Sequence, residues 1–311
     1  MPIIKNYQSI IDEFTKNSSK IKFISHLAAK SLAISNTSDD YNKHNVLFLD
    51  SSFNPPHKGH ISIIENAINH YQKKVCSGSP NLNTIVLSLS VNNADKIHPK
   101  PESFDKRLQM IDLLSKDLYK INGENVSVLI CLTKLAKFTD KYEELKKYLS
   151  LPDSGDDIVV KSLKKLQEAD RLNLAFLLGF DTLIRIFDSK YYKPKTIDES
   201  LNEFIQGSEL VCLARDNGND DILSQEAYIE SIKSGEIDGV PKHWASRIVI
   251  LNPIKDENSK FLTTVSSSEI RNSLGRYYGN EGKNEDIDEF LSKRTIPSIK
   301  DCILKNKYYD N

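Results

Sequence analysis

The sequence lacks several features that mark whole classes of protein. Its 311 residues include only four cysteines, and no two of them form a CxxC pair, so neither a zinc site nor a disulfide framework is indicated. No stretch approaches the ~20 apolar residues that a membrane span needs. The formal net charge is -1, from 42 basic and 43 acidic side chains, which leaves no global basic excess for nucleic acid. We therefore expect no nucleic-acid partner and no membrane span.

Two catalytic patterns and a targeting segment are also missing. No G-x-G-x-x-G follows a predicted strand, which disfavours a Rossmann dehydrogenase, and no nucleophilic serine or cysteine motif points to a covalent intermediate. The start of the chain has neither an apolar signal core nor a small-residue cleavage site. Three of the cysteines Cys76, Cys131, Cys212 and Cys302 lie in or beside apolar runs, where buried reduced thiols are expected. We infer a reducing compartment and expect a cytoplasmic or nuclear location, or both.

Short apolar runs alternate with helical patterns along most of the chain. Strands are predicted at 46–49, 84–91, 126–132, 174–178, 210–214 and 247–251. This alternation predicts an α/β fold with a doubly wound, mostly parallel sheet. We expect three parts, namely a helical N-terminal extension (1–44), a central α/β domain (45–280) and a helical C-terminal tail packed on it (281–311). The long polar connection 216–244 is predicted to be a flexible flap.

The most informative segment is a strand that runs into two histidines. The apolar residues 46–49 are followed by DSSFNPPHKGH at 50–60, and a parallel sheet builds nucleotide-phosphate sites where a strand ends and a helix begins. His57 and His60 share one side of the first helical turn, where they can neutralise charge on phosphate oxygens. Alone, the pair would fit a chance spacing or half of a metal site, but the other histidines show no ligand spacing.

A second polar segment, SSSEIR, lies at 266–271. Hydroxyl and N–H groups at the start of a helix bind phosphates, and Arg271, one turn later, adds a charged fork. The same residues also fit a capping box, with a serine N-cap and Glu269 near N3. The segment therefore predicts either a phosphate contact or a capped helix, or both.

A further junction between a strand and a helix, LLGFDT, lies at 177–182. Gly179 permits the backbone to approach a ligand closely. Asp181 is a candidate partner for a ribose hydroxyl or a magnesium-bound water, or else only the N-cap of the helix 182–187. This junction is the third candidate element of one site.

Together the histidine and serine segments resemble the signature of the nucleotidylyltransferase superfamily, closest to its nicotinamide mononucleotide adenylyltransferase branch. Residues 266–271 are similar to the family's Ser-Ser-Thr-x-Ile-Arg pattern, and residues 50–57 are similar to a fungal adenylyltransferase-like subgroup. The resemblance covers roughly 46–275 and implies a Rossmann-like nucleotidylyltransferase fold. It implies transfer of AMP from ATP to nicotinamide mononucleotide, giving NAD and pyrophosphate, with Mg²⁺ bound mainly through the ATP phosphates.

The resemblance also implies roles for individual residues. The family carries a substrate-binding lysine after the second strand, for which Lys96 is the candidate and Lys100 the second choice, and then an Arg-x-x-Met helix. The implied catalytic residues are His57, His60, Lys96 and Arg271. The implied substrate and ATP contacts are Ser51, Ser52, Phe53, Asn54, Arg107, Gly179, Asp181, Arg215, Ser266, Ser267 and Ser268. Both lysines also fit a solvated loop, and Arg107 fits a salt bridge that packs its helix.

Two departures from the family pattern keep other functions open. Ser51 stands where the usual pattern has a glycine against the pyridine nucleotide, and the only tryptophan, Trp244, lies too late in the chain to stack on the nicotinamide ring. The candidates to replace it are Phe138, Tyr142 and Tyr148. The alternatives are an ATP-binding or ATP-hydrolysing regulator that acts through a protein partner, and a nucleotidylyltransferase for another substrate, such as a cytidylyltransferase. The oligomeric state stays open.

Overall fold

The computed structural model describes residues 6–29, 43–73, 83–91, 102–123, 126–152, 157–214, 222–252, 257–279 and 286–310. The strands in this part of the chain are β1 (Ile21–Leu27), β2 (His44–Asp50), β3 (Asn83–Ser90), β4 (Val126–Thr133), β5 (Leu172–Gly179), β6 (Glu209–Leu213) and β7 (Ile248–Leu251). The helices are α1 (Tyr7–Lys16), α2 (Lys58–Lys73), α3 (Phe104–Asn122), α4 (Phe138–Ser150), α5 (Ile158–Glu168), α6 (Phe180–Ile186), α7 (Ile197–Gly207), α8 (Ile222–Ser234), α9 (Glu257–Thr264), α10 (Ser267–Tyr278), α11 (Ile287–Arg294) and α12 (Pro297–Asn306).

The seven strands form one sheet in the order β1-β4-β3-β2-β5-β6-β7. Strands β2 to β7 pair in parallel, so the predicted doubly wound, mostly parallel fold is confirmed, and each of the six predicted strands is present. The chain builds outward from β2 to β4 on one side and then from β5 to β7 on the other. A crevice opens at the carboxyl ends of the strands where the direction of winding reverses, which here is between β2 and β5.

The predicted helical extension is right for α1 and wrong for Ile21–Leu27, which form β1 and pair antiparallel with β4. A β-bulge between Phe23 and Ser25 interrupts the pairing, so the apolar residues do not keep the strict alternation that identifies a strand. Strand β1 instead satisfies the hydrogen-bonding groups along one edge of β4. Part of the predicted extension therefore belongs to the sheet.

The connection 216–244, predicted to be a flap, contains ordered structure in its described part. It holds α8 and most of a 3-10 turn at Lys242–Arg247. Trp244 in this turn is fully buried, with its ring centroid 6.2 Å from that of Phe187. The burial of a large aromatic side chain fixes the turn against the body of the protein, so the flap prediction is wrong for residues 222–244.

Helices cover both faces of the sheet and bury its central strands completely. All residues of β3 and β4 are buried, as expected for parallel strands between two helical layers. Cys131, Cys212 and Cys302 are buried, as predicted, while Cys76 lies outside the described residues. No helix in the described part of the chain is long and apolar enough to cross a membrane.

The burial of His44 at the start of β2 makes stability depend on pH. Its Nε2 lies 2.8 Å from Oγ1 of Thr84, and burial, with a contribution from Arg171, lowers the pKa of His44 to about 4. Between about pH 6.5 and 4, the unfolded chain binds a proton that the folded chain does not, so the free energy of unfolding must fall as the pH falls. Urea unfolding across this window should show a flatter pH slope for His44→Gln, by at most roughly 1.4 kcal/mol per pH unit.

The matched control is His243→Gln, because His243 is exposed. This variant should keep the pH slope of the native chain. An unchanged slope in His44→Gln would contradict the assignment of the proton uptake to His44.

Candidate functional site

A cavity of about 470 Å³ lies at the carboxyl ends of β2 and β5, where the winding reverses. The turn after β2, the first turn of α2 and the junction between β5 and α6 form part of its wall. The predicted site residues that line it are Ser51, Ser52, His60, Gly179 and Asp181. The fold therefore brings together two of the three segments identified in the sequence around one cavity.

The histidine turn is ordered by hydrogen bonds that assign the ring protons. The backbone N–H of His57 donates to Nδ1 of His60, and the N–H of Gly59 donates to Nδ1 of His57, both at 3.1 Å. Because each Nδ1 accepts a hydrogen bond, each neutral ring carries its proton on Nε2. Nε2 of His60 then donates to Oγ of Ser51 at 2.9 Å. The turn thus holds two neutral imidazoles whose donors are both Nε2–H groups.

Gly59 is required for this arrangement. A Cβ atom on Gly59 would lie 2.9 Å from both Cε1 and Nδ1 of His57 and 3.3 Å from the carbonyl oxygen of Leu262. The ring of His57 therefore packs on a bare Cα atom, and a side chain at position 59 would displace it.

Phe53 and Asn54 lie behind the cavity and not in its wall. Both are fully buried, and the ring centroid of Phe53 lies 5.0 Å from that of His60. Phe53 has a φ of +44°, a left-handed conformation that costs a non-glycine residue roughly 1 kcal/mol or more. Burial of its ring offsets this cost, and the ring packs against that of His60.

The serine segment is fastened to the histidine turn, from which it is 212 residues away in the chain. Oγ of Ser267 donates to the carbonyl oxygen of Pro55 at 2.9 Å, and Nη1 of Arg271 donates to that of Asn54. Nη2 of Arg271 donates to Oγ of Ser268 at 3.1 Å. The structure thus joins the two segments, with Arg271 buried between them.

Ser266 is the N-cap of α10, since its Oγ accepts from the N–H of Glu269 at 3.1 Å. The carboxylate of Glu269 accepts from Arg294 at 2.9 and 2.7 Å. The capped helix predicted from the sequence is therefore present, while the glutamate of the expected capping box is engaged by α11.

Tyr309 supports the turn as well, and nothing in the sequence singles it out. Its hydroxyl donates to Oδ1 of Asn54 at 3.0 Å, and its backbone N–H donates to Glu102 at 2.6 Å. The N–H of Glu102 also donates to Oδ1 of Asn54, at 3.2 Å. Burial, together with Glu102, raises the pKa of Tyr309 well above its usual range, so the hydroxyl keeps its proton and remains a donor.

Arg107 braces the other side of the same loop. Its Nε donates to the carbonyl oxygen of Glu102 at 2.8 Å, and its Nη1 to that of Ser52 at 3.5 Å. The guanidinium lies over the ring of Phe104, 4.3 Å from its centroid. Arg107 thus holds backbone oxygens near the cavity and does not line the cavity itself.

The remaining candidates differ in outcome. Helix α6 begins at Phe180 with Gly179 as its N-cap, so the alternative reading of Asp181 as the N-cap is wrong. The side chain of Asp181 is 68% exposed and pairs with Arg185. Lys96, Lys100 and Arg215 lie outside the described residues.

Aromatic side chains also line the cavity. Of the three candidates Phe138, Tyr142 and Tyr148, Phe138 lines the cavity, and Tyr191 and Tyr192 do so as well. Phe138 packs edge-on against Phe176, with 6.1 Å between ring centroids, and the hydroxyl of Tyr192 donates to the carbonyl oxygen of Ile186 at 2.7 Å. Both rings are therefore held in place.

Comparison with known proteins identifies the family of the chain. Residues 48–273 match the family model described as Cytidylyltransferase-like. A Schizosaccharomyces pombe protein named "Putative nicotinamide mononucleotide adenylyltransferase" is 30% identical over 244 residues, which is 78% of each chain.

Among solved structures, nicotinic acid mononucleotide adenylyltransferase of Plasmodium falciparum complexed with NaAD is 18% identical, with a TM-score of 0.45 over 86% of this chain and 98% of that chain. The same enzyme complexed with APC gives 18% identity and a TM-score of 0.44 over the same shares.

The family match includes both the histidine turn and the serine segment, so the resemblance seen in the sequence is confirmed. The chain is a nucleotidyltransferase and belongs to the cytidylyltransferase-like family.

Proposed function

We propose that this protein transfers AMP from ATP to nicotinamide mononucleotide, forming NAD and releasing pyrophosphate. The observation that carries the proposal is a cavity lined both by His60 and by the aromatic residues Phe138 and Tyr192. Such a cavity offers hydrogen-bond donors for phosphates and flat surfaces for a heterocyclic ring. The name of the Schizosaccharomyces pombe relative supports the same substrate.

In the proposed reaction, a phosphate oxygen of the mononucleotide attacks the α-phosphorus of ATP, and the bond to the β-phosphate oxygen breaks. Negative charge then grows on the departing pyrophosphate, and donors fixed in advance stabilise it without reorganising. The Nε2–H group of His57 would supply one such donor, and that of His60 a second by exchanging Oγ of Ser51 for a phosphate oxygen. No covalent enzyme intermediate is needed.

Two buried donors beside the turn, Nδ2 of Asn54 and Nε of Arg271, have no hydrogen-bond partner among the described residues. Neither residue lines the cavity, so these donors are not offered as phosphate contacts. Because both terminal nitrogens of Arg271 already bind the turn and α10, its proposed catalytic role includes holding these two elements together.

The pyridine ring is proposed to stack on Phe138, with Tyr192 beside it. Trp244 cannot take this role because it is fully buried in the core. Tyr142 is also buried, and Tyr148 packs against Phe23. Phe138 is therefore the aromatic candidate that replaces the tryptophan of the family pattern.

Mg²⁺ is proposed to enter with ATP. Among the residues described, no three or more His, Cys, Asp and Glu side chains are grouped to hold a metal ion, and Mg²⁺ is commonly held by one or two carboxylates together with substrate phosphates. The exposed carboxylate of Asp181 in the cavity wall would hold it with the ATP phosphates. The ion would neutralise phosphate charge. The cytoplasmic or nuclear location and a protein partner stay predictions.

The test is an assay of the purified protein with ATP, Mg²⁺ and nicotinamide mononucleotide, in which NAD and pyrophosphate are followed together. We expect both products in equal amounts, and a loss of about a hundredfold or more in kcat for His60→Ala, because a preorganised donor is removed. The control, His243→Ala, alters an exposed histidine outside the cavity and should keep full activity.

Other outcomes of this assay would contradict the proposal in distinct ways. Phosphate release from ATP without NAD would favour the regulator that hydrolyses ATP. Turnover of CTP in place of ATP would favour a cytidylyltransferase.

A second prediction concerns Gly59. Gly59→Ala should lower kcat by about tenfold or more, because the new methyl group displaces the ring of His57 and misplaced catalytic groups are costly. Gly275→Ala is the matched control, since no atom lies within 4 Å of its added Cβ. The control should keep its activity and gain roughly 0.5–1 kcal/mol of stability from higher helix propensity. Equal activity in both variants would show that His57 does not need its observed position.

A third prediction concerns Tyr309, with its neighbour as control. Tyr309→Phe removes the hydrogen bond to Asn54, and Tyr308→Phe removes one to Gln109 in α3. Each should cost about 1 kcal/mol of unfolding free energy. Only Tyr309→Phe should lower kcat/KM, severalfold, because Asn54 belongs to the histidine turn. If the two variants lost the same activity, Tyr309 would have a structural role only.

A further inference from the structure

A buried ion pair lies in the cavity wall beside the aromatic residues. Nζ of Lys141, in α4, lies 2.6 Å from Oδ2 of Asp50, at the end of β2. The side chain of Lys141 is 3% exposed and that of Asp50 is 14% exposed, yet both line the cavity. The same ammonium lies 5.1 Å from the ring centroid of Phe138. A pyridine ring bound against Phe138 would therefore lie in the same cavity as this pair.

The pair retains hydrogen-bonding capacity on both sides. Lys141 donates to Asp50 and, at 3.3 Å, to the carbonyl oxygen of Ala136, which uses two of the three donors of an ammonium. Oδ1 of Asp50 accepts from Ser88 at 2.8 Å and Oδ2 accepts from Lys141, although a carboxylate has about four acceptor positions. Within the described residues, a donor and acceptors thus remain next to each other.

A carboxamide matches such a pair. Its oxygen can accept from Lys141, and its NH₂ group can donate to Asp50. The positive charge of the pyridinium ring is common to both substrates, so they differ only at the substituent. A carboxylate in this place would offer Asp50 no hydrogen-bond donor and would set two carboxylates side by side, which is costly where water is excluded.

We propose that the Asp50–Lys141 ion pair forms hydrogen bonds with the substituent of the pyridine ring. These bonds make the cavity select the carboxamide of nicotinamide mononucleotide over the carboxylate of nicotinic acid mononucleotide. This inference rests on the proposed function and adds to it the residues that determine specificity. It also gives the buried pair a use, since an ion pair in a protein interior adds little stability by itself.

The test compares kcat/KM for the two mononucleotides at saturating ATP and Mg²⁺. We expect the native protein to prefer the amide by about tenfold or more, and Asp50→Asn to shift this ratio toward the acid by about tenfold or more. In that variant, the cation of Lys141 is left to pair with the substrate carboxylate. Lys141→Gln should shift the ratio in the opposite direction, because Asp50 then repels the acid alone.

Both substrates are measured on one preparation, so the fraction of folded enzyme cancels from the ratio. The matched control is Glu203→Gln in α7. It removes the acidic partner of Lys146, an exposed residue of α4, the helix that carries Lys141. It should leave the ratio unchanged.

The outcomes separate the two proposals. If the native protein turns over both mononucleotides and neither Asp50→Asn nor Lys141→Gln moves the ratio, the ion pair has no such role, while the proposed function stands. A native preference for the acid would likewise overturn the role of the pair alone. If the native protein turns over neither mononucleotide, the proposed function fails and this inference fails with it.

Discussion

The site depends on how one buried residue, Asn54, has its oxygen atoms satisfied. The backbone carbonyl of Asn54 accepts from Arg271 of α10, and its side-chain oxygen accepts from Glu102 and from Tyr309. A buried carbonyl oxygen without a hydrogen bond lowers the free energy of unfolding. These three distant parts of the chain therefore stabilise the fold by meeting at Asn54. The turn that begins at Asn54 carries His57 and His60, so the bonds that satisfy Asn54 also set where the histidines lie.

Hydrogen bonds from the backbone also determine which nitrogen of each histidine ring carries the proton. Backbone N–H groups occupy Nδ1 of both rings, and this leaves Nε2–H as the donor of each neutral ring. Under the proposed function, the orientation of these rings is set before a phosphate binds, as preorganised stabilisation of developing charge requires. Gly59 makes this arrangement possible, because the ring of His57 lies where a side chain at position 59 would otherwise be.

The cavity has two chemically different sides that come from different elements. The side formed by the β2–α2 turn, continued by α10 behind it, consists of donors and hydroxyls suited to phosphates. The start of α4 and the segment after α6 contribute aromatic rings and Lys141, which pairs with Asp50 at the end of β2, and these groups suit a polar heterocycle. The two sets of residues meet at the reversal of winding between β2 and β5, which under the proposed function would let one cavity take two substrates.

The sequence by itself determined the fold class and the six parallel strands, and it predicted two segments for phosphate binding, because periodicity and strand-to-helix junctions are local properties of the chain. It did not reveal β1, because a bulge breaks the alternation and only the open edge of β4 makes Ile21–Leu27 a strand. Tyr309 and Lys141 were also missed. Their partners, Asn54 and Asp50, lie 255 and 91 residues away, and contacts of such long range leave no pattern in one sequence. Tertiary structure alone decided which side chains reach the cavity and which hold it in shape, since both depend on packing between elements that are distant in the chain.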